Sequence, residues 1–195
     1  MSRFADREKQ SLLELARRAL TAGVKEHKLK EEIPNDKTLM SPGGAFVTLH
    51  RRGHLRGCVG QLPSGESLAA VVAHCAQAAA LEDPRFEPVS PEELPEIEIE
   101  LSVLSQLEKL SIDDMNGGKI ETGKHGLVVS RGQQRGVLLP QVATNFNWQA
   151  QRFLEETCVK AGMESDAWKD PQTRVEVFTA EVFRESTAQS GQKTQ

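Results

Sequence analysis

Residues 96–103 read EIEIELSV, in which Ile97, Ile99, Leu101 and Val103 alternate with Glu96, Glu98, Glu100 and Ser102. Successive side chains of a strand point to opposite faces, so this pattern predicts a half-buried antiparallel strand. Three acids on one strand face read as a charged, solvated edge rather than a metal site, and no metal is assigned. Working back along the chain, Ser90-Pro91-Glu92-Glu93 is a helix start with serine as cap, proline first and glutamate closing a capping box. Pro95 cuts it short. Before it, Leu68, Val71, Val72, Cys75, Ala76 and Ala79 recur at helical spacing and predict an amphipathic helix that stops at Asp83-Pro84. Ala45–His50 and Leu55–Gln61 read as two strands joined around Arg52-Gly53. Leu12, Ala16, Ala19, Leu20 and Val24 predict a first helix over about Arg3–Val24, followed by a charged connection, Lys25–Ser41.

Towards the C-terminus, Asn116-Gly117-Gly118 marks a turn, and His125–Ser130 with Gln134–Leu139 reads as a second hairpin around Arg131–Gln133. After Pro140 a helix carries Ala150, Phe153, Leu154, Thr157, Cys158 and Ala161 on one face and ends at Gly162. Trp168 falls in a loop, Val175–Phe183 reads as the last strand, and Glu185–Gln195 lacks apolar anchors and is expected to fray. Hairpins among helices of unequal length indicate α+β rather than a doubly wound parallel sheet.

At 195 residues the chain fits one compact unit, and no apolar run approaches the roughly 20 residues needed to span a bilayer. Met1–Lys9 has no secretory apolar core, so the expected location is the cytoplasm. Cys58, Cys75 and Cys158 are too widely spaced for a disulfide framework or a close metal-ligand pair, which fits a reducing compartment. A net charge of -4 and the absence of tyrosine argue against general nucleic-acid binding. The local basic cluster His50, Arg51, Arg52, His54 and Arg56 reads as a solvated hairpin tip.

Chemistry concentrates in Leu55–Gly60, LRGCVG. Alternation would put Arg56 and Cys58 on one strand face and Leu55 and Val59 on the other, while Gly57 and Gly60 would leave space beside the thiol. A guanidinium near a thiol favours the nucleophilic thiolate. Cys75 and Cys158 lie on apolar helix faces and read as small buried hydrophobes. His125, before Gly126 at the start of a predicted strand, is the candidate proton shuttle, whereas His50 and His54 belong to the hairpin tip and His27 and His74 to surfaces. Asp83-Pro84-Arg85-Phe86 is a rigid turn that offers a carboxylate and a guanidinium fork to an anionic ligand. No G-x-G-x-x-G, Walker A, H-E-x-x-H or G-x-S-x-G pattern occurs.

The ordered set FVTL (46–49), LRGCVG (55–60), DPRF (83–86), SVLS (102–105), HGL (125–127), LPQVA (139–143) and KAG (160–162) resembles the AMME chromosomal-region protein family, whose prokaryotic members are called AmmeMemoRadiSam system protein A. The resemblance runs from about Leu12 to Phe183, and Val59 stands where isoleucine is more usual. It implies an α+β fold with an antiparallel sheet, flanking helices and two unequal lobes around a cleft that carries the motif. Residues 1–185 would then be one domain of two sublobes and 186–195 a disordered tail. The family name also implies co-occurrence with a Memo-like protein, similar to extradiol dioxygenases, and a radical SAM protein; neither chemistry is encoded in this chain, and the resemblance names no cofactor for it.

Two functional readings follow. In the first, the chain is an enzyme or enzyme subunit in which Cys58 is nucleophile or redox centre, Arg56 lowers its pKa, and His125 transfers protons. Asp83, Arg85 and Gln141, with room at Gly57 and Gly60, would orient a small anionic or carbonyl substrate. In the second, it is a non-catalytic binding module for a Memo-like or radical SAM partner, Arg56 and Arg85 are contact residues, and Cys58 is packing. Nucleic-acid binding through Arg51–Arg56 is a distant third.

Overall fold

A computed structural model describes residues 3–26 and 36–185 of the chain. In order, its elements are α1 (Asp6–Val24), β1 (Gly44–Arg51), β2 (His54–Gln61), α2 (Leu68–Leu81), β3 (Ile97–Leu104), β4 (Glu108–Lys109) and α3 (Ile112–Asn116). Then come β5 (His125–Arg131), β6 (Gln134–Leu138), α4 (Pro140–Asn145), α5 (Ala150–Lys160) and β7 (Arg174–Arg184). They form two compact units, one of residues up to Val103 together with those from Glu181, the other Leu104–Ala180. In both, helices accompany antiparallel strands, so the fold class is α+β.

In the first unit the strand order is β2-β1-β3, followed by the Glu181–Arg184 end of β7. Arg52 and Gly53 both take positive φ, 52° and 79°, the backbone sense that matches a two-residue hairpin to the twist of its strands. The helix α2 begins where Ser67 Oγ accepts the Ala70 N–H at 3.3 Å. The expected helix at Ser90 is a short 3-10 segment of two turns, Pro91–Glu96, closed by the Ser90–Glu93 capping box. Leu12, Leu15 and Leu20 of α1 and Val71, Val72 and Cys75 of α2 pack with Val47 and Leu49 of β1 and with Ile97, Ile99, Leu101 and Val103 of β3. The period-two reading of 97–103 therefore selected the core face correctly. The solvated-edge reading of its glutamates needs correction, because β3 lies between β1 and β7. Glu100 pairs with Arg184, and Glu96, the residue just before β3, pairs with Arg51 and Arg52, so these acids are half-buried and matched by arginines.

The second unit pairs β5 with β6, and both β4 and β5 with the Arg174–Ala180 part of β7. Phe153, Leu154 and Cys158 of α5 cover Leu127, Val129, Val175 and Val177. Trp168, expected in a loop, is buried in a 3-10 turn, Ala167–Lys169, where it joins this core. The short elements β4, α3 and α4 had no periodic signal long enough to read.

Glu185 does not fray: its carboxylate pairs with the Arg17 guanidinium and accepts the Ile99 N–H at 3.0 Å. Residues 186–195, the expected tail, lie outside the described residues, as do 27–35 of the Lys25–Ser41 connection. The rest of that connection supplies Leu39 to the first core.

Gly57 lets β2 and α2 approach backbone to backbone, since a Cβ there would stand 2.0 Å from the Ala79 carbonyl oxygen. That oxygen belongs to a helix backbone and cannot swing aside. Gly57→Ala is therefore expected to destabilise the protein by about 1–3 kcal/mol or more, read as a lowered midpoint in urea unfolding.

Candidate functional site

Strand β2 ends the first unit's sheet order, so half its backbone groups face away from β1. Cys58 stands opposite Thr48. Its N–H donates to Asp83 Oδ2 at 2.8 Å and its carbonyl accepts from Arg85 Nη2 at 3.4 Å. Both groups thus turn outward, which makes Thr48–Cys58 a non-hydrogen-bonded pair with close side chains. Thr48 Oγ1 accordingly donates to Cys58 Sγ at 3.4 Å.

Asp83 follows the C-terminus of α2, where a carboxylate meets the negative end of the helix dipole. Its side chain is only 3% exposed. The Arg85 fork answers that charge with Nε at 2.9 Å and Nη2 at 2.7 Å, and the Arg85 N–H adds a bond at 3.1 Å. Arg85 first, with the Cys58 N–H, holds the Asp83 carboxyl well below the ordinary carboxylate range despite its burial. Phe86 N–H closes the turn on the Asp83 carbonyl at 3.1 Å. Arg85 itself is 55% exposed, and its Nη1 has no partner among the described residues.

Arg56 was expected to activate the thiol, and its hydrogen bonds go elsewhere. Nε and Nη2 grip Glu93 at 2.9 and 3.0 Å, Nη1 reaches the Glu87 carbonyl at 2.9 Å, and Nη2 also meets the Pro88 carbonyl at 3.4 Å. Glu93 also takes Arg51 at 2.7 Å and the Ser90 N–H at 2.9 Å. Arg56 foremost, helped by Ser90 and Arg51, draws the Glu93 carboxyl down to about 2. The register explains the misreading: Leu49 pairs with Gly57 and His50 with Leu55, so Arg56 is the extra residue of a bulge. The bulge breaks the assumed alternation and leaves Leu55 exposed, while Val59 packs on the core.

The open space expected at Gly57 and Gly60 is occupied. The Ala79 carbonyl fills the first, and the ring of Phe46, the cross-strand partner of Gly60, lies 2.1 Å from where a Gly60 Cβ would be. His50 also differs from its expected place. His54 is exposed at the tip, but His50 is half-buried and shares strand parity with Phe46 and Thr48. Its Nε2 is shielded from solvent and has no hydrogen-bond partner among the described residues. Counting parity across the hairpin from the Arg52-Gly53 turn would have set Cys58 opposite Val47, and only the bulge brings it opposite Thr48, while the Glu93 carboxylate was visible only as a cap.

Arg56, Gly57, Cys58, Gly60, Asp83 and Arg85 all belong to the first unit, whereas His125 and Gln141 belong to the second. His125 opens β5, and its Nδ1 accepts the Glu121 N–H at 3.1 Å, which assigns the ring proton to Nε2. Burial, then the neighbouring Lys124, pushes its pKa below the usual histidine value. Gln141 is the second residue of α4. Burial drives the Cys75 thiol up to about 12 and raises Cys158, so both are inert packing groups. Among the described residues no three His, Cys, Asp or Glu side chains gather as a metal site, and no helix is long and apolar enough to cross a membrane.

The family model described as AMMECR1 matches residues 13–183. A protein of Methanothermobacter thermautotrophicus is 42% identical over 183 residues, covering 91% of this chain and 94% of its own. Protein TK0174 of Thermococcus kodakarensis is 42% identical over 194 residues, covering 95% and 94%. The crystal structure of an uncharacterized protein, PH0010, from Pyrococcus horikoshii is similar at a TM-score of 0.80 and 39% identity over 90% of each chain.

Asp83 and Glu93 have folded-state values below their unfolded ones, 3.8 and 4.5, so the stability they contribute is complete above that range. It is lost as pH falls towards and through about 2 for Glu93, and lower still for Asp83. Unfolding free energy measured by urea titration should fall steeply below about pH 4.5, and Asp83→Asn should flatten that slope while lowering stability at pH 7.

Proposed function

The chain belongs to the AMMECR1 family, and on that premise we propose that it is a cytoplasmic binding module whose Arg85 guanidinium receives an acidic group. One observation carries this reading: Arg56, the expected activator of Cys58, is committed to Glu93, while Arg85 is half-exposed and its Nη1 has no acceptor among the described residues. A planar guanidinium locked by Asp83 is pre-organised for a carboxylate or phosphate, so little rotamer entropy is lost on binding. Phe86, whose ring lies 5.5 Å from the Arg85 guanidinium carbon and 6.0 Å from that of Arg56, stiffens the arrangement further. Pairing of Arg51 and Arg52 with Glu93 and Glu96 leaves the basic hairpin poorly suited to phosphate backbones, which argues against nucleic acid.

A cysteine-dependent enzyme acting on a small anionic or carbonyl substrate is the second reading. It is favoured by the half-exposed Cys58 and its hydrogen bond from Thr48. The Memo-like and radical SAM proteins implied by the family resemblance are the partners to try first. Co-purification with the tagged full-length chain should survive Cys58→Ala and fall at least tenfold in Arg85→Ala. Loss with Cys58→Ala and retention with Arg85→Ala would replace the binding module by the cysteine reading.

A further inference from the structure

The acids along β3 are treated unequally. Glu96 is answered by Arg51 and Arg52, and Glu100 by Arg184, yet Glu98 between them is half-buried and its carboxylate has no hydrogen-bond or ion-pair partner among the described residues. A half-buried charge without a counter-ion gives up solvation and recovers nothing for it. Glu98 borders a cavity of about 930 Å³ whose lining lies wholly within the first unit, a volume in the range of small-molecule sites. Leu13 of α1 lines it together with Pro95 and Ile97. Glu14 adds a second carboxylate to the lining, and this one accepts only from the neutral Gln10 amide, at 3.0 Å.

The arginines that border the same cavity are already engaged. Arg17 donates to both oxygens of Glu185 and to the Leu94 and Ile97 carbonyls, at 3.3 and 2.6 Å. Arg52 pairs with Glu96 at 2.7 Å, and Arg18 has a contact of its own. The cavity therefore joins apolar surface to two carboxylates, from two different elements, that make no ion pair among the described residues.

We propose that this cavity binds an aliphatic polyamine, with its ammonium groups paired to Glu98 and Glu14 and its methylene segments lying on Leu13, Pro95 and Ile97. An inorganic cation would answer the charges and leave the apolar lining in water, and a simple monoamine would answer one carboxylate of the two. A polyamine meets both, and its flexible chain adapts to their separation. Arg85 and its partners Asp83 and Cys58 do not border this cavity, so the site stands apart from the acid-binding group.

Isothermal titration of spermidine into the full-length chain at constant ionic strength tests this, with n-butylamine and Mg²⁺ as controls for a single head and for charge without a stem. Saturable binding of spermidine at one site is expected, with n-butylamine at least tenfold weaker and Mg²⁺ unable to displace spermidine. Glu98→Gln and Glu14→Gln should each weaken binding about fivefold, as the loss of one partly screened ion pair implies. Glu164→Gln, at an exposed acid of the other unit, and Arg85→Ala should leave it unchanged. Glu14 is exposed on α1, so its variant keeps the test intact even where Glu98→Gln lowers the melting temperature. Absence of saturable binding, displacement by Mg²⁺ at matched ionic strength, or unchanged affinity in either Glu98→Gln or Glu14→Gln overturns the polyamine site. Loss of binding in Arg85→Ala overturns it too, by moving the amine away from the cavity.

Discussion

The buried carboxylate of Asp83 holds the outer edge of β2 to the end of α2. A terminal strand presents unpaired N–H and C=O groups, and Cys58 would present both. Asp83 accepts from the N–H and Arg85 donates to the carbonyl, so the turn after α2 supplies what a further strand would have supplied. The arrangement solves three electrostatic problems together. Cys58 is satisfied, the aspartate at an unfavourable helix end is neutralised, and the arginine is held in one orientation. Removing Arg85 would leave the Asp83 carboxylate, 3% exposed, without its counter-ion, and removing Asp83 would leave the Cys58 N–H without its acceptor. LRGC and DPRF are thus one structural device written in two places.

A second constraint is the closeness of backbone to backbone. Gly57 meets the Ala79 carbonyl, and in the other unit a Cβ at Gly136 would stand 2.5 Å from the Thr157 carbonyl oxygen and 2.6 Å from the Ala161 nitrogen. Each unit pairs such a contact with a glycine covered by an aromatic ring: Phe46 over Gly60 in one, Phe178 over Gly126 in the other. These rings sit on the cross-strand partners of their glycines. The ring restores the packing that a glycine withholds from a strand, so the chain gains flat surfaces without the usual weakness. The glycines of the motif are consequently structural, and their missing side chains are already filled from within.

Much of this fold was legible because its long elements carry clean periods. The alternation over 97–103, the helical repeat in 68–79 and the Arg52-Gly53 turn each follow from one local rule. What was not legible depended on register. The bulge at Arg56 shifts one residue against His50, and no count along a single strand detects it. The same blindness exchanged the two arginines: Arg56 is two residues from Cys58 in sequence but grips Glu93, whereas Arg85 comes from 27 residues away to touch the Cys58 backbone. Glu185 looked like the start of a polar tail because its partner, Arg17, lies at the other end of the chain. Local patterns specify elements, and ion pairs between distant segments have no local pattern to specify them.

The exchange of arginines matters for what the molecule can do. A guanidinium that shares its donors among one carboxylate and two carbonyls is a brace, and its charge is answered where it stands. A guanidinium anchored on one side only is different: the anchored nitrogens fix its plane and the remaining one extends that plane outward with its donors aligned. Fixing one side of the fork removes the motion that weakens surface arginines as ligands, while exposure keeps the free side available. Asp83 therefore has two consequences from one geometry. The carboxylate that secures the edge of the sheet also orients the cation beside it, so the recognition group proposed at Arg85 would arise from the contact that keeps β2 in place.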